Sequence, residues 1–415
     1  ALYFTAGVAA KKCNPIILSF WVHLFILPLL VLSFLILSPA LVLNNLSIYL
    51  PVLIMSLCYI GAYYFQMLSL KFTSVLISGL FFNTVILSFG SAILSAFIAV
   101  PLAILVTFYK FPGHKFFSWA LSLSIAFPAY VYAFIFVGIF EYASPVSEYL
   151  RQLGINLPSI KNIYGASLVM SMALFPYIFL LTKAQLSNVG LSIFKAAKSL
   201  GDNNLSAIKK VIIPSIKPVI FAGMALVIFE TISDLGGVRT LNVETFTVGI
   251  YDAWFGYQSY FSAARLAGYL LIFVLFIIFI SKYFGSKSDS KAPKTAEVFE
   301  KIELGIASKY ISTMTCFLIF SFVFCMPFIQ LILWHFDNSY FDLFEHLKLL
   351  LNSVTIGISV ALLTVFFAIS LALSYKKTRY LKPMISISTS GYAIPGSVIS
   401  AGLLISFDLI FNTAI

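Results

Sequence analysis

Charge is scarce in this chain. Only 10% of its 415 residues are Asp, Glu, Lys or Arg, against about 25% in soluble domains. That scarcity excludes a protein that keeps a wet polar shell around one core. Cysteine is scarce too. Cys13, Cys58, Cys316 and Cys325 lie in or beside apolar runs with no CxxC pair, which excludes a disulfide framework and a zinc site and leaves them as small core residues. The four histidines, His23, His114, His335 and His346, are scattered without metal-ligand spacing and read as interfacial or loop residues. No GxxxxGK[ST] phosphate loop is present, and no His, Ser and carboxylate set recurs on any polar segment, which argues against an enzyme. The first residues carry no cleavable signal with a small-residue cleavage site, and the chain opens on Ala1 rather than Met, the pattern expected of an incomplete N-terminus.

What the chain has instead is apolar length. Hydrophobic residues make up 61% of it, with 43 Phe, and the mean hydropathy is +1.01. About 20 apolar residues cross the hydrocarbon of a bilayer as a helix. Runs of that kind fall near 17–37, 79–107, 117–140, 163–182, 218–234, 262–281, 311–334, 350–374 and 384–411. The expected fold is therefore an all-α polytopic membrane protein. Lys and Arg crowd into alternate connections around 110–115, 183–217, 282–309 and 376–382, which hold 18 of the 26. The connections between them hold most of the acids, including Glu141, Glu148, Glu244, Asp252, Asp337, Asp342 and Glu345. The positive-inside rule puts the first set in the cytoplasm and the second outside, and it assigns the net charge of +11 to membrane orientation rather than nucleic acid. Counting inward from Lys110 leaves 48–70 as an interfacial or re-entrant segment, in keeping with Pro51, Gly61 and the run Tyr63, Tyr64, Phe65. The alternative is a tenth span with an external N-terminus.

An internal repeat is visible. Asn83, Thr84, Val85 and the small-residue run to Ala103 match Asn352, Ser353, Val354 and the run to Ala372 at an offset of 269. Ala126, Phe127, Pro128 matches Ala393, Ile394, Pro395 at 267. Matching order and topology predict two homologous helix bundles. The expected domains are an N-terminal membrane segment at 1–74, a first bundle at 75–281, a polar cytoplasmic linker at 282–310 and the start of a second bundle at 311–415. The second copy stops before its largest cytoplasmic loop, near 462, and so reads as truncated.

That loop in the first copy, 185–217, is polar and helix-capable, and it is held closely between two spans. It reads Lys195, Ala196, Ala197, three further residues, Gly201, and after nine more Val211, Ile212, Ile213, Pro214. The alanines let another surface approach a helix backbone, Gly201 supplies a turn, Asp202 or Asn203 can cap the next helix, and Pro214 opens the following span. These features predict a short docking helix braced by the membrane.

At these residues the sequence resembles the permease subunits of type I ABC importers, whose loop reads Glu-Ala-Ala, three residues, Gly, nine residues, Ile-x-Leu-Pro. Ala196, Ala197, Gly201, Val211, Ile213 and Pro214 fall on that spacing, and Lys195 stands where the family usually has Glu. The stretch Phe229-Glu230-Thr231-Ile232-Ser233-Asp234-Leu235-Gly236, followed by Thr245-Phe246-Thr247-Val248-Gly249-Ile250-Tyr251-Asp252-Ala253-Trp254-Phe255, is similar to the iron(III) importer permeases, with Leu235 in place of a Phe. The resemblance covers roughly 75–415. It implies a multi-pass subunit of a bacterial inner membrane that performs no chemistry itself. Two separate ATP-binding cassette subunits would bind ATP and Mg, leaving this chain without a cofactor, and an external binding protein would deliver ferric ion. It also implies that the helix from Lys195 to Gly201 docks in a groove on an ATPase subunit.

Glu230 and Asp234 lie four apart, on one helical face near the external end of a span. Acids inside a membrane usually face a partner or a water-filled path, and their oxygens would tolerate a hard cation. The alternatives are structural, with Asp234 capping the turn at Gly236 and Gly237 and Glu230 pairing with Arg239 or Arg265. Pro128 and Pro395, at equivalent repeat positions, either open backbone carbonyls to the path or are ordinary kinks. Asp408 carries no assigned role. The rival cargoes are thiamine, polyamine, sulfate and molybdate. A rival class is an ion-coupled secondary transporter using Glu230 and Asp234, which leaves the docking loop unexplained.

Overall fold

The computed structural model describes residues 46–201, 203–285, 301–337, 343–377, 391–400 and 402–403. The expected span 17–37 and Asp408 lie outside these residues, as does most of 384–411. The chain divides into two compact units, Ala1–Ser78 and Gly79–Ile415. The backbone of 48–70 is regular helix within α1 (Leu46–Phe108), uninterrupted at Pro51 or Gly61.

The described part of Gly79–Ile415 is almost wholly helical. After α1 come β1 (Tyr109–Lys110), α2 (His114–Ala120), α3 (Ala129–Phe140), α4 (Pro145–Gln152) and α5 (Ile163–Ser199). They are followed by α6 (Asn204–Ala207), α7 (Ile213–Ser233), α8 (Gly236–Thr240), α9 (Phe246–Tyr251) and α10 (Tyr260–Gly285). After β2 (Ile302–Glu303) come α11 (Ile306–Phe320), α12 (Met326–Asp337) and α13 (Leu343–Lys377). Among the described residues seven stretches are long and apolar enough to cross a membrane: Ile77–Phe108, Ala129–Gln152, Ile163–Ser187, Ile208–Ser233, Tyr260–Ser281, Ile306–Phe336 and Phe344–Leu373. The expected all-α polytopic fold is what the chain adopts.

One expected span is corrected. Residues 117–140 do not form a single helix: α2 ends at Ala120, a 3₁₀ turn covers Leu123–Ala126, and α3 starts only at Ala129. The cause is Pro128, whose ring disfavours helical backbone in the residue before it. Phe127 is accordingly extended, at φ −96° and ψ 121°. The 12 residues of α3 rise about 18 Å, so α3 reaches a membrane-crossing length only together with α4.

Small residues set the helix spacing. Ser88, Ser91, Ser95, Ser167 and Ser171 are buried, and Ser95 Oγ on α1 donates to Ser171 O on α5 at 3.2 Å. Small side chains of this kind let membrane helices approach closely. Gly223 is the extreme case, because a Cβ there would lie 3.1 Å from the Ile178 Cα, so α7 rests backbone to backbone on α5. Thr84, buried in α1, accepts from Phe246 N at 3.0 Å and donates to Leu80 O at 2.7 Å, while Asn83 Nδ2 donates to Glu244 O at 2.8 Å. The Asn-Thr head of the first repeat copy thus clamps the start of α9.

The π turn Ser321–Cys325 joins α11 to α12. Such a turn breaks the regular helical ladder, and its Val323 carbonyl accepts from the fully buried Tyr132 hydroxyl at 2.5 Å. Phe127 packs on Phe324 and Phe134 on Trp334, with ring centroids 5.5 and 5.3 Å apart. The end of the expected linker is tied down as well. Ile302–Glu303 pairs in parallel with Tyr109–Lys110, Lys110 Nζ meets Glu303 Oε1 at 3.1 Å, and Lys301 Nζ donates to Val106 O at 2.6 Å. By contrast, every residue of α13 from Phe344 to Leu373 is exposed.

The two Ala-x-Pro turns share a local hydrogen-bond pattern. Phe127 N donates to Ser124 O, and Val131 N and Tyr132 N donate to Pro128 O. The same three bonds recur 267 residues on, from Ile394 N to Gly391 O and from Val398 N and Ile399 N to Pro395 O. Each copy therefore has a 3₁₀ turn followed by a proline that opens a helix.

Candidate functional site

Two features stand at the ends of α7, whose 21 residues extend about 30 Å. At its first end is a helical hairpin. The helix α5 continues past its apolar span to Ser199, and Phe194 near that end is buried against Phe108 of α1 with centroids 5.7 Å apart. The turn is made by Gly201 at φ +95°, a backbone that side chains rarely adopt, and a Cβ there would meet nothing within 4 Å. Leu200 beside it is 89% exposed. Asn203 Oδ1 then accepts from Ser206 N at 2.8 Å, the N-cap bond that starts α6, and a π turn over Ile208–Ile212 leads into α7. Ala197 is buried, Val211 half-buried, and Ile213 and Pro214 exposed. The Lys195 and Ala196 side chains lie outside the described residues, as does Asp202. The hairpin is therefore a helical arm whose glycine tip presents an apolar side chain.

At the other end of α7 is a cavity of about 280 Å3, lined by residues that include Pro128, Tyr177, Glu230, Ser233 and Asp234. Three of the four candidate path residues come together here, brought in by the extended break before α3 and by the last turn of α7. Pro395 does not line the cavity, but its neighbour Tyr392 donates its hydroxyl to Glu230 Oε1. Tyr177 on α5 interacts with both Glu230 and Tyr392. The second repeat copy therefore touches the acid of the first.

The structural alternatives for the two acids resolve differently. Asp234 does hold the turn, its Oδ2 accepting from Val238 N at 3.1 Å. Glu230 does not meet either arginine. Arg239 pairs with Asp252 at 3.3 Å and lies over the Tyr251 ring at 4.8 Å, while Arg265 lies over Phe261 at 5.9 Å. Two carboxylic acids and two tyrosines, Tyr130 and Tyr177, thus line a cavity that has no Lys or Arg among its described residues, an arrangement able to accommodate positive charge. Among the described residues no group of three or more His, Cys, Asp or Glu could hold a resident metal. Tyr177 and Tyr392 escape sequence reasoning because a tyrosine in an apolar run gives no periodic signal. The one available hint was that position 392 precedes the repeated Ala-x-Pro.

Residues 99–287 match the family described as the inner membrane component of binding-protein-dependent transport systems. Over 316 residues the chain is 25% identical to the Fe(3+)-transport system permease protein FbpB 2 of Haemophilus influenzae, which covers 73% of this chain and 58% of that protein. It is 24% identical over 155 residues to the sulfate transport system permease protein CysT of Salmonella typhimurium, 37% of this chain and 55% of that one. It is also 24% identical over 187 residues to the putative 2-aminoethylphosphonate transport system permease protein PhnU of Salmonella choleraesuis, 42% of this chain and 65% of that one. The chain spans a little over half the length of the first two relatives. The family match runs from within α1 to the end of α10, so the hairpin and the acids of the cavity both lie in the part of this multi-pass membrane chain that is similar to transport-system inner membrane components.

Proposed function

We propose that this chain is the membrane-spanning permease subunit of an ATP-binding-cassette importer, that it lies in a bacterial inner membrane, and that its cargo is ferric ion. The hairpin is the docking element for one of two cytoplasmic ATPase subunits, which bind and hydrolyse ATP with Mg. An external binding protein delivers the cargo to the far side. The α7 helix joins these events, since it begins at the hairpin and ends at the cavity. Closure of the ATPase pair moves α7 as a rigid rod and alternates access to the cavity.

The observation that carries the choice of cargo is the lining of the cavity. Relatives named for ferric ion, sulfate and an aminophosphonate all match this chain. A cavity bordered by Glu230, Asp234 and Tyr177 with no Lys or Arg repels oxyanions and suits a hard cation, which prefers oxygen donors. The carboxylates also keep the cation soluble in a low-dielectric wall.

The test is uptake into vesicles that hold the chain with its ATPase and binding-protein partners. The expected result is ATP-dependent accumulation of ferric ion, abolished by Glu230→Lys. Accumulation of sulfate, molybdate or 2-aminoethylphosphonate in its place would overturn the cargo. Uptake driven by an ion gradient without ATP would overturn the importer.

A further inference from the structure

The lysine-rich end of the bundle carries a second cavity, of about 430 Å3, lined by Lys110, His114, Lys115 and Lys309 together with the turn Phe111–Gly113. No acid lines it. Three elements, β1, α2 and α11, supply its basic residues, because pairing of β1 with β2 brings the chain just before α11 against the start of α2. The surrounding lysines are not equivalent. Lys183 Nζ donates to Ser118 O at 2.5 Å and Lys301 Nζ to Val106 O at 2.6 Å, so both are engaged by carbonyls in the last turns of helices, where cations are favoured. Lys110 is engaged by Glu303. Lys115 and Lys309 form no ion pair with a carboxylate among the described residues. Burial holds the Lys301 ammonium below the ordinary lysine range, and the charges of Lys183 and Lys115 add to it, so positive charge gathers at this end of the bundle.

Position and surroundings identify what offsets that excess. Lys110 lies two residues beyond the span Ile77–Phe108, and Lys309 lies in the first turn of the span Ile306–Phe336. The cavity is therefore level with the boundary between hydrocarbon and water. Its neighbours Phe116, Trp119, Ile306 and Tyr310 are large, apolar and exposed. A soluble anion would use the lysines and leave these side chains idle. An amphiphile with a phosphate head uses both.

We propose that this cavity is a phosphate-anion site filled by the headgroup of an anionic phospholipid, whose acyl chains lie along Phe116, Trp119, Ile306 and Tyr310. Basic pockets at this depth are suited to such heads, and each lysine near a charged membrane surface contributes about fivefold in affinity. The inference does not depend on the transported cargo or on any ATPase partner.

The test uses the purified full chain in mild detergent, with native mass spectrometry of retained phosphatidylglycerol and phosphatidylcholine. The expected result is preferential retention of phosphatidylglycerol, weakened about fivefold for each change in Lys115→Gln and Lys309→Gln and preserved in Lys115→Arg with Lys309→Arg. Excess inorganic phosphate should leave the lipid in place, while high salt should release it. Equal retention of the two lipids, or undiminished retention by the double glutamine variant, would overturn the site. Displacement by inorganic phosphate would overturn the lipid as its source. The arginine pair separates loss of charge from loss of folding.

Discussion

The two copies of the repeat begin with nearly the same words and end up in different surroundings. In the first, Asn83 and Thr84 clamp residues 244–246, and the helix that carries them is packed through Leu87, Ser91, Ala92, Ser95 and Ala99. In the second, Asn352 and Ser353 belong to α13, which is exposed from Phe344 to Leu373. Both helices are apolar enough to span. What differs is the company: the first has the 244–246 segment to hold, while α13 has no such partner among the described residues. Apolar sequence makes a membrane helix, and specific polar and backbone contacts decide where it sits.

The largest effects should separate the copies most clearly. Gly223→Val pushes a branched side chain into the Ile178 backbone and should cost about 3 kcal/mol. Gly357→Val on α13, where a Cβ meets nothing within 4 Å, should stay within about 0.5 kcal/mol. Thermal unfolding of both variants in one detergent measures the contrast, and equal losses would mean that α13 is packed. Next comes Thr84→Val, which leaves the buried Phe246 amide without its acceptor and should cost about 1–3 kcal/mol. Ser353→Ala should be near neutral in the same assay.

Where the copies meet, Tyr392→Phe and Glu230→Gln should not be additive. A double-mutant cycle should give a coupling on the order of 1 kcal/mol, and a coupling of zero would mean that the two side chains act independently. The smallest effect concerns the link between β1 and β2. The hydrogen bond and charge of Lys110, with the charge of Lys309, hold the Glu303 carboxyl below the ordinary carboxylate range. A depressed carboxylate contributes its stabilisation above the ordinary value and loses it as pH falls through the folded value. Hydrogen-exchange protection at Ile302 should therefore be flat across neutral pH and decline only in acid, and Glu303→Gln should remove that decline.

Much of this was legible in the sequence, and the exceptions have physical causes. Span positions follow from apolar length, and a glycine ten residues before the change from Lys209-Lys210 to Val211-Ile212-Ile213 marks the tip of the hairpin at Gly201. The break at Pro128 was legible in principle, because the constraint on Phe127 is local, but hydropathy alone runs straight through it. The contact from Tyr392 to Glu230 was not legible, since it joins residues 162 apart through a fold that hydropathy does not encode. The pairing of Ile302 with Tyr109 was hidden for the same reason. Its two residues carry too little pattern to mark a strand, and only the packing of α11 brings them together.

In the proposed function, the hairpin around Gly201 docks an ATPase. The most direct test is gentle detergent purification of the chain from its native membranes, followed by identification of the protein that stays bound, for the wild type and for Gly201→Glu. A soluble ATPase should be recovered with the wild type and lost from the variant, which still inserts in the membrane because a Cβ at Gly201 meets nothing within 4 Å. A chain that purifies alone and still drives uptake, or a variant that keeps the ATPase and transports normally, would contradict it.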